Sequence, residues 1–244
     1  MGAITNGITL HGGLRGYCGT FLVFLDYMKS AVRMAALMKI NPIYIFTHDS
    51  IVVGPDGPTH QPVEQLLSLR ATPGIDVIRP ADPNETMYSW EFALKNDKST
   101  VLVLGRQEVS VLEDTSLENL RHGAYIISDS KDYSGTIIAT GSEVELALEA
   151  KEILEKDGVS VRVVNMPSWG LFDDTSIEYK DSVLDRSKPI LAVEASSEIG
   201  WHKYADSFVA NNEYGDSGNG QKLYESRGFT PENVALRFKE LIKN

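Results

Sequence analysis

The stretch Pro42-Ile43-Tyr44-Ile45-Phe46-Thr47-His48-Asp49-Ser50 decides how the rest of the chain is read. Residues 42–47 are short, apolar and not strictly alternating, as in a strand buried on both faces. The run stops at a polar triplet. The loop Ser50-Ile51-Val52-Val53-Gly54-Pro55-Asp56-Gly57-Pro58-Thr59-His60-Gln61-Pro62 comes next, stiffened by glycine and proline, with Pro62 placed to open a helix. The same rhythm of short apolar run, polar turn and amphipathic helix recurs along the chain. Further strands are expected at 19–24, 76–79, 101–105, 136–139, 159–164 and 189–193. Strands alternating with helices imply an α/β fold of doubly wound, mostly parallel sheets.

Helix signals support this reading. Asp82-Pro83-Asn84-Glu85 and Ser142-Glu143-Val144-Glu145 read as capping boxes. The second opens a helix whose stripe is Leu146, Ala147, Ala150, Ile153 and Leu154, ending at Gly158. Thr230-Pro231 opens a last helix with Val234, Ala235, Phe238, Leu241 and Ile242 on one face. Residues 1–11 read as a helix presenting Ala3, Ile4, Gly7 and Ile8. A polar seam at 108–134 suggests two domains, 1–120 and 121–244. No strand precedes the first helix, so the first domain is expected to be incomplete on its N-terminal side, with Met1 an internal methionine of a longer protein.

Composition narrows the function. The chain has 244 residues, 42% hydrophobic and 23% charged, with net charge −11. That excess of acid disfavours nucleic acid and anionic membranes as partners. No apolar run is long enough for a membrane-spanning helix, and no secretion signal is evident. A single cysteine, Cys18, precludes an internal disulfide and fits a cytoplasmic location. It sits in an apolar run and reads as a plain buried thiol.

In open parallel sheets, ligands bind beyond the carboxyl ends of strands. The run 42–47 ends at His48, and the run 101–105 ends at Arg106. The stiff loop between adds Asp56 and His60. Two imidazoles, a carboxylate and a guanidinium on one edge suit a polyhydroxylated, phosphorylated substrate. The carboxylate accepts from hydroxyls, imidazoles move protons near neutral pH, and the guanidinium forks onto phosphate. Residue pattern alone leaves three readings open: an active-site loop, a solvated loop, and a zinc site without an evident third ligand. Phe21, Phe24 and Tyr27 flank another strand end, where core is the plainer reading of the two phenylalanines. Gly215-Asp216-Ser217-Gly218-Asn219-Gly220 lacks the Lys-Ser/Thr ending of a phosphate loop and reads as a surface turn.

The run Thr47-His48-Asp49-Ser50 through Gly54, continued by Asp56-Gly57-Pro58-Thr59-His60-Gln61-Pro62-Val63-Glu64-Gln65, resembles the signature of the transketolase family. So do Gly19-Thr20-Phe21-Leu22-Val23-Phe24 with Tyr27, Ile78-Arg79-Pro80-Ala81-Asp82, Arg106-Gln107 and Ala139-Thr140-Gly141-Ser142-Glu143-Val144. The resemblance spans nearly the whole chain, in order. It implies most of a pyrimidine-binding domain followed by a transketolase C-terminal domain. It further implies ketol transfer between sugar phosphates, with thiamine diphosphate and Mg²⁺ held between the subunits of a homodimer. Carried over by motif, Phe24 is the aromatic on the aminopyrimidine, with Phe21 and Tyr27 beside it. His60 transfers a proton and meets substrate oxygens, Asp56 reads the C2 hydroxyl, and His48 and Arg106 hold the substrate phosphate. The Mg²⁺ ligands lie in a diphosphate-binding domain that this chain does not match. The family's cofactor-activating glutamate falls just upstream of the Met1-Gly2 match. The chain by itself is therefore expected to be inactive, either as a piece of a working enzyme or as a non-catalytic module. Departures from the family pattern are Cys18, Val52-Val53, Pro55 and 216–220.

Overall fold

The computed structural model describes residues 1–243. Its first half is a sheet of four parallel strands, β1 (Tyr17–Phe21), β2 (Ile43–Thr47), β3 (Ile75–Ile78) and β4 (Ser99–Leu104), in the order β1-β2-β4-β3. Helices α1 (Gly2–His11), α2 (Leu25–Met38), α3 (Gln65–Arg70), α4 (Pro83–Lys95) and α5 (Leu117–Arg121) accompany it. The second half holds β5 (Tyr125–Ser128), β6 (Thr136–Ala139), β7 (Arg162–Asn165), β8 (Ile190–Glu194) and β9 (Ser207–Ala210), ordered β5-β7-β6-β8-β9. Here β5 runs antiparallel to β7 and the other pairs are parallel. Its helices are α6 (Glu143–Lys156), α7 (Trp169–Asp173), α8 (Ile177–Val183), α9 (Gly220–Ser226) and α10 (Pro231–Leu241).

Apolar strand residues are buried on both faces, as β2 and β4 show: Tyr44, Phe46, Val101 and Val103 face one core cluster, Ile43 and Leu102 the other. In the second sheet Ile137 and Leu191 face α6 and α10, while Ile138, Val164 and Ile190 face Trp169, Phe172 and Trp201. Burying such a side chain stabilises the fold by roughly 1.5–3 kcal/mol.

Several local expectations need correction. The segment 19–24 is not one strand: β1 ends at Phe21, and Leu22–Phe24 coils into a 3₁₀ turn that swings Phe24 over the sheet edge. Pro62 does not open a helix; α3 starts at Gln65, whose Oε1 instead accepts from Val63 N at 3.0 Å. β9 was not marked by its sequence, because Ser207 and Ala210 dilute its apolar pattern.

The two expected capping boxes differ. Asp82 caps α4 by accepting from Glu85 N at 2.7 Å, yet the Glu85 carboxylate reaches past the cap to Ala81 N. Ser142 has helical dihedrals and makes no cap; Glu143 is drawn inward instead. Helix α1 forms, but it buries Gly2, Thr5 and Asn6 and leaves Ile4 and Ile8 exposed. The polar face wins because Asn6 is tied down, donating to Ala31 O at 2.8 Å and accepting from the Tyr44 hydroxyl.

Candidate active site

Parallel register brings three strand ends side by side. Phe21 pairs with Thr47, and Thr47 with Leu104, so β1, β2 and β4 finish at one level. The residues just past each strand therefore share one edge: the Leu22–Phe24 turn, His48, and Arg106.

Rings gather there. Phe21 and His48 stack with centroids 3.7 Å apart and planes 15° apart. Phe24 meets His60 edge-on at 5.4 Å and Phe21 at 6.2 Å. Tyr27, in the first turn of α2, meets the Phe24 ring at 6.0 Å and is 85% exposed. A cleft of about 360 Å³ opens beside them, lined by Thr20, Phe24, Tyr27 and Met28 together with α1 residues.

His48 adopts a left-handed backbone (φ 59), a costly conformation for a non-glycine residue. Its Nδ1 shares a 2.9 Å hydrogen bond with Thr47 Oγ1. Burial pulls its pKa below the ordinary histidine value and Arg106 adds to this, while Asp56 and Asp49 oppose it. The balance of these neighbours favours the neutral form of His48. His60 is half-buried, and its Nδ1 bonds Thr59 Oγ1 at 2.9 Å. Asp56 and Arg106 are exposed; Arg106 donates from Nη1 to Val53 O at 3.2 Å, which ties it to the loop. The edge offers an exposed carboxylate, an exposed guanidinium and two imidazoles around an aromatic floor. Among the described residues no three His, Cys, Asp or Glu side chains gather as a metal site would need.

Beneath this edge lies a cluster that sequence reading did not foresee. Arg79, at the end of β3, is 1% exposed. It donates to Asp49 Oδ2 and to Thr140 O, each at 2.7 Å, and to the Glu143 carboxylate. Glu194 is clamped by Arg70 at 2.7 and 2.8 Å and by Trp201 Nε1 at 2.7 Å. Asp49, Arg70 and Arg79 come from the first sheet's half; Glu143, Glu194 and Trp201 come from the second's. Burial alone would depress the Arg79 pKa, but Asp49, Glu143 and Glu194 raise it well above the usual value. Burial likewise pushes Glu194 up, and Arg70 and Arg79 more than offset this. Gly141 (φ 60) is required here, since a Cβ would stand 2.6 Å from Arg79 Cζ. The signal was present in Arg79-Pro80-Ala81-Asp82 and in Gly141-Ser142-Glu143, but one sequence does not show that the two runs meet.

A second junction centres on a single buried carboxyl. Glu85, fully buried, accepts from Ala81 N, from Tyr125 Oη at 2.9 Å and from Asn165 Nδ2 at 3.0 Å. Burial outweighs these donors and pushes its carboxyl up to about 7.

The run 215–220, expected to be a surface turn, is exposed on one side only. Its other side lies against the 51–56 turn, with Ser217 Oγ donating to Pro55 O at 2.7 Å.

Comparison with known proteins agrees with this architecture. The family described as "Transketolase, pyrimidine binding domain" matches residues 1–111, and "Transketolase-like TK C-terminal domain" matches residues 123–230. A transketolase of Halalkalibacterium halodurans is 48% identical over 253 aligned positions, covering 100% of this chain and 38% of that protein. The transketolase of Leishmania mexicana superposes with a TM-score of 0.96 at 44% identity, over 99% of this chain and 36% of that one. A transketolase of Pichia stipitis solved in complex with sedoheptulose-7-phosphate gives a TM-score of 0.96 at 43% identity, over 100% of this chain and 36% of that one. The chain thus spans little more than a third of the length of these relatives. With its parallel sheets, its edge of aromatic rings and imidazoles, and matches across both halves, the chain belongs to the transketolase family.

Proposed function

We propose that this chain supplies the pyrimidine-side half of a thiamine-diphosphate site that transfers a two-carbon ketol unit from a ketose phosphate to an aldose phosphate. The observation that carries the reading is the edge where the Phe21 ring touches Phe24, His48 and His60, and Phe24 also touches His60, with Asp56 and Arg106 beside them. An open cleft with an aromatic and thioether wall fits a planar aminopyrimidine. Phe24 would take the ring face, with Phe21 behind it and Tyr27 at the rim. When bound, thiamine diphosphate supplies a carbanionic carbon able to add to a ketose carbonyl.

The chain's own groups do the rest. His48 offers a ring nitrogen to a phosphate oxygen, and Arg106 adds a charge-assisted pair. Asp56 accepts from the hydroxyl next to the reacting carbon. His60 holds or passes a proton at a substrate oxygen, a role suited to an imidazole near neutral pH.

We divide the chain into a pyrimidine-binding domain, 1–120, and a C-terminal domain, 121–244. The diphosphate and Mg²⁺ would be held by a further domain in the parent protein. Exposed apolar side chains on the first half, among them Ile4, Ile8, Met34 and Leu37, support a partner-facing surface and a homodimer. The single buried thiol, Cys18, supports a cytoplasmic location.

The test is reconstitution. The chain alone, given thiamine diphosphate and Mg²⁺, is expected to show no ketol transfer. The same chain joined to everything that precedes the Met1-Gly2 match in a relative, the diphosphate-binding domain and the segment with the cofactor-activating glutamate, is expected to turn over. Transfer by the chain alone, or none by the joined protein, contradicts the half-site reading.

A further inference from the structure

The loop that carries Asp56 and His60 does not stand by itself. Among the described residues no hydrogen bond holds the Asp56 carboxylate, so its place is inherited from the backbone on either side. That backbone rests on the run 215–220, which belongs to the other half of the molecule. Gln61, 2% exposed, joins the two segments, donating from Nε2 to Gly54 O and to Asp216 O, both at 2.9 Å. Ser217 Oγ reaches Pro55 O, one residue from Asp56.

The approach is as close as main chains allow. A Cβ on Gly220 would stand 2.2 Å from Val52 O, and one on Gly54 would stand 2.8 Å from Gly220 N. On Gly215 a Cβ would meet Gln61 Oε1 at 1.5 Å. Gly54 also needs its freedom for φ 76, but Gly215 and Gly220 have no positive φ. They are glycines because another main chain or a buried amide occupies the space a side chain would take.

We propose that the run 215–220 is a positioning and specificity element for the sugar-phosphate edge. By bracing Val52 to Gly57 it fixes where the Asp56 carboxylate stands, and so sets how strongly the site prefers an acceptor aldose bearing a hydroxyl next to the aldehyde. This rests on the role proposed for Asp56 as the acceptor of that hydroxyl. A carboxylate displaced by a fraction of a hydrogen-bond length loses the directional bond to that hydroxyl, while contacts with the rest of the sugar persist.

The experiment uses the joined enzyme, in which the chain follows a relative's diphosphate-binding domain and the segment with the cofactor-activating glutamate. It compares kcat/KM for a 2-hydroxy aldose phosphate with that for its 2-deoxy counterpart, in Asp56→Ala, Ser217→Ala, Gly220→Ala and the doubles with Asp56→Ala. Hydrogen exchange is read at 51–61, with Ile190–Glu194 as the folding control. The proposal expects Asp56→Ala to abolish the preference. It expects Ser217→Ala and Gly220→Ala to lower the preference by about 3- to 10-fold, to speed exchange at 51–61, and to change nothing further in the Asp56→Ala background. If Gly220→Ala loses protection at 190–194, Ser217→Ala, which removes one hydroxyl, carries the test. If Asp56→Ala keeps the preference, the role assigned to Asp56 is wrong and the proposal falls with it. If Asp56→Ala abolishes the preference but the folded loop variants keep it, only the bracing role is overturned.

Discussion

The two halves of this molecule share one fold logic and finish it differently. The second sheet is sealed: α6 and α10 cover one face with Val144, Ala147, Ala150 and Phe238, all fully buried, and the tryptophan cluster covers the other. The first sheet is open along β1. Ten large apolar side chains between Met1 and Met38 are exposed, and β1 pairs on one side only. The open half also carries the edge of Phe21, Phe24, His48 and His60 with the exposed Asp56 and Arg106. A surface that must receive a ligand or a partner cannot be closed by its own chain, so openness and chemistry fall together. The sealed half contributes rigidity, delivered through Glu143, Glu194 and the run 215–220.

The largest expected effect comes from cutting that link. Arg79→Met strands Asp49 and Glu143 in a buried site with no counter-charge. Losing one member of a buried ion cluster costs about 3–5 kcal/mol, or about 10 °C in Tm for a chain of this size. A thermal scan showing a loss under about 1 kcal/mol breaks the view that this cluster joins the halves.

The Glu85 junction gives a pH signature. Its carboxyl titrates near 7 in the fold and near 4.5 when unfolded. Between those values the unfolded chain has lost the proton and the folded chain still holds it, so stability falls as pH rises from about 4.5 to about 7, by about 3 kcal/mol in all. Glu85→Gln should flatten stability across that window in urea titrations. An unchanged slope contradicts a protonated, buried Glu85.

On the open half, His60→Ala is expected to lower kcat by about 10²-fold in the joined enzyme, with the melting temperature nearly unchanged. A change in KM alone would leave His60 a positioning role only. The smallest expected effect is at Ile4, read against an apolar position in the sealed core. Leu154→Ala, in the sealed core, should cost about 2–5 kcal/mol, whereas Ile4→Lys, on the exposed face of α1, should stay within about 0.5 kcal/mol in the chain alone. Equal costs would erase the contrast between the halves.

Much of this was legible in the sequence. Period and turn residues placed seven strands to within about three residues at either end, and the strand-end rule of parallel sheets pointed to the edge where His48, Asp56, His60 and Arg106 lie; their roles there are proposed. What stayed hidden was long-range. Arg79 and Glu143 are ordinary in their own motifs and become a buried pair only through the meeting of two sheets. The apolar stripe of α1 suggested a buried face, yet the anchor is Asn6, a residue whose importance depends on Ala31 and Tyr44. Two departures from the family pattern looked unrelated along the chain, at Val52-Val53-Pro55 and at 216–220. In the structure they are neighbours, with Ser217 bonded to Pro55 and Gly220 against Val52.

The central claim, that the edge at the ends of β1, β2 and β4 is a sugar-phosphate half-site, is tested most directly by Arg106→Ala in the joined enzyme, assayed with an aldose phosphate and with the same aldose lacking phosphate. Removing a charge-assisted contact worth about 1.5–3 kcal/mol should raise KM for the phosphorylated acceptor by about 10- to 150-fold. The account predicts that kcat with that acceptor stays within about 3-fold and that kinetics with the unphosphorylated acceptor do not change. Equal losses with both acceptors, or no loss with either, would contradict it.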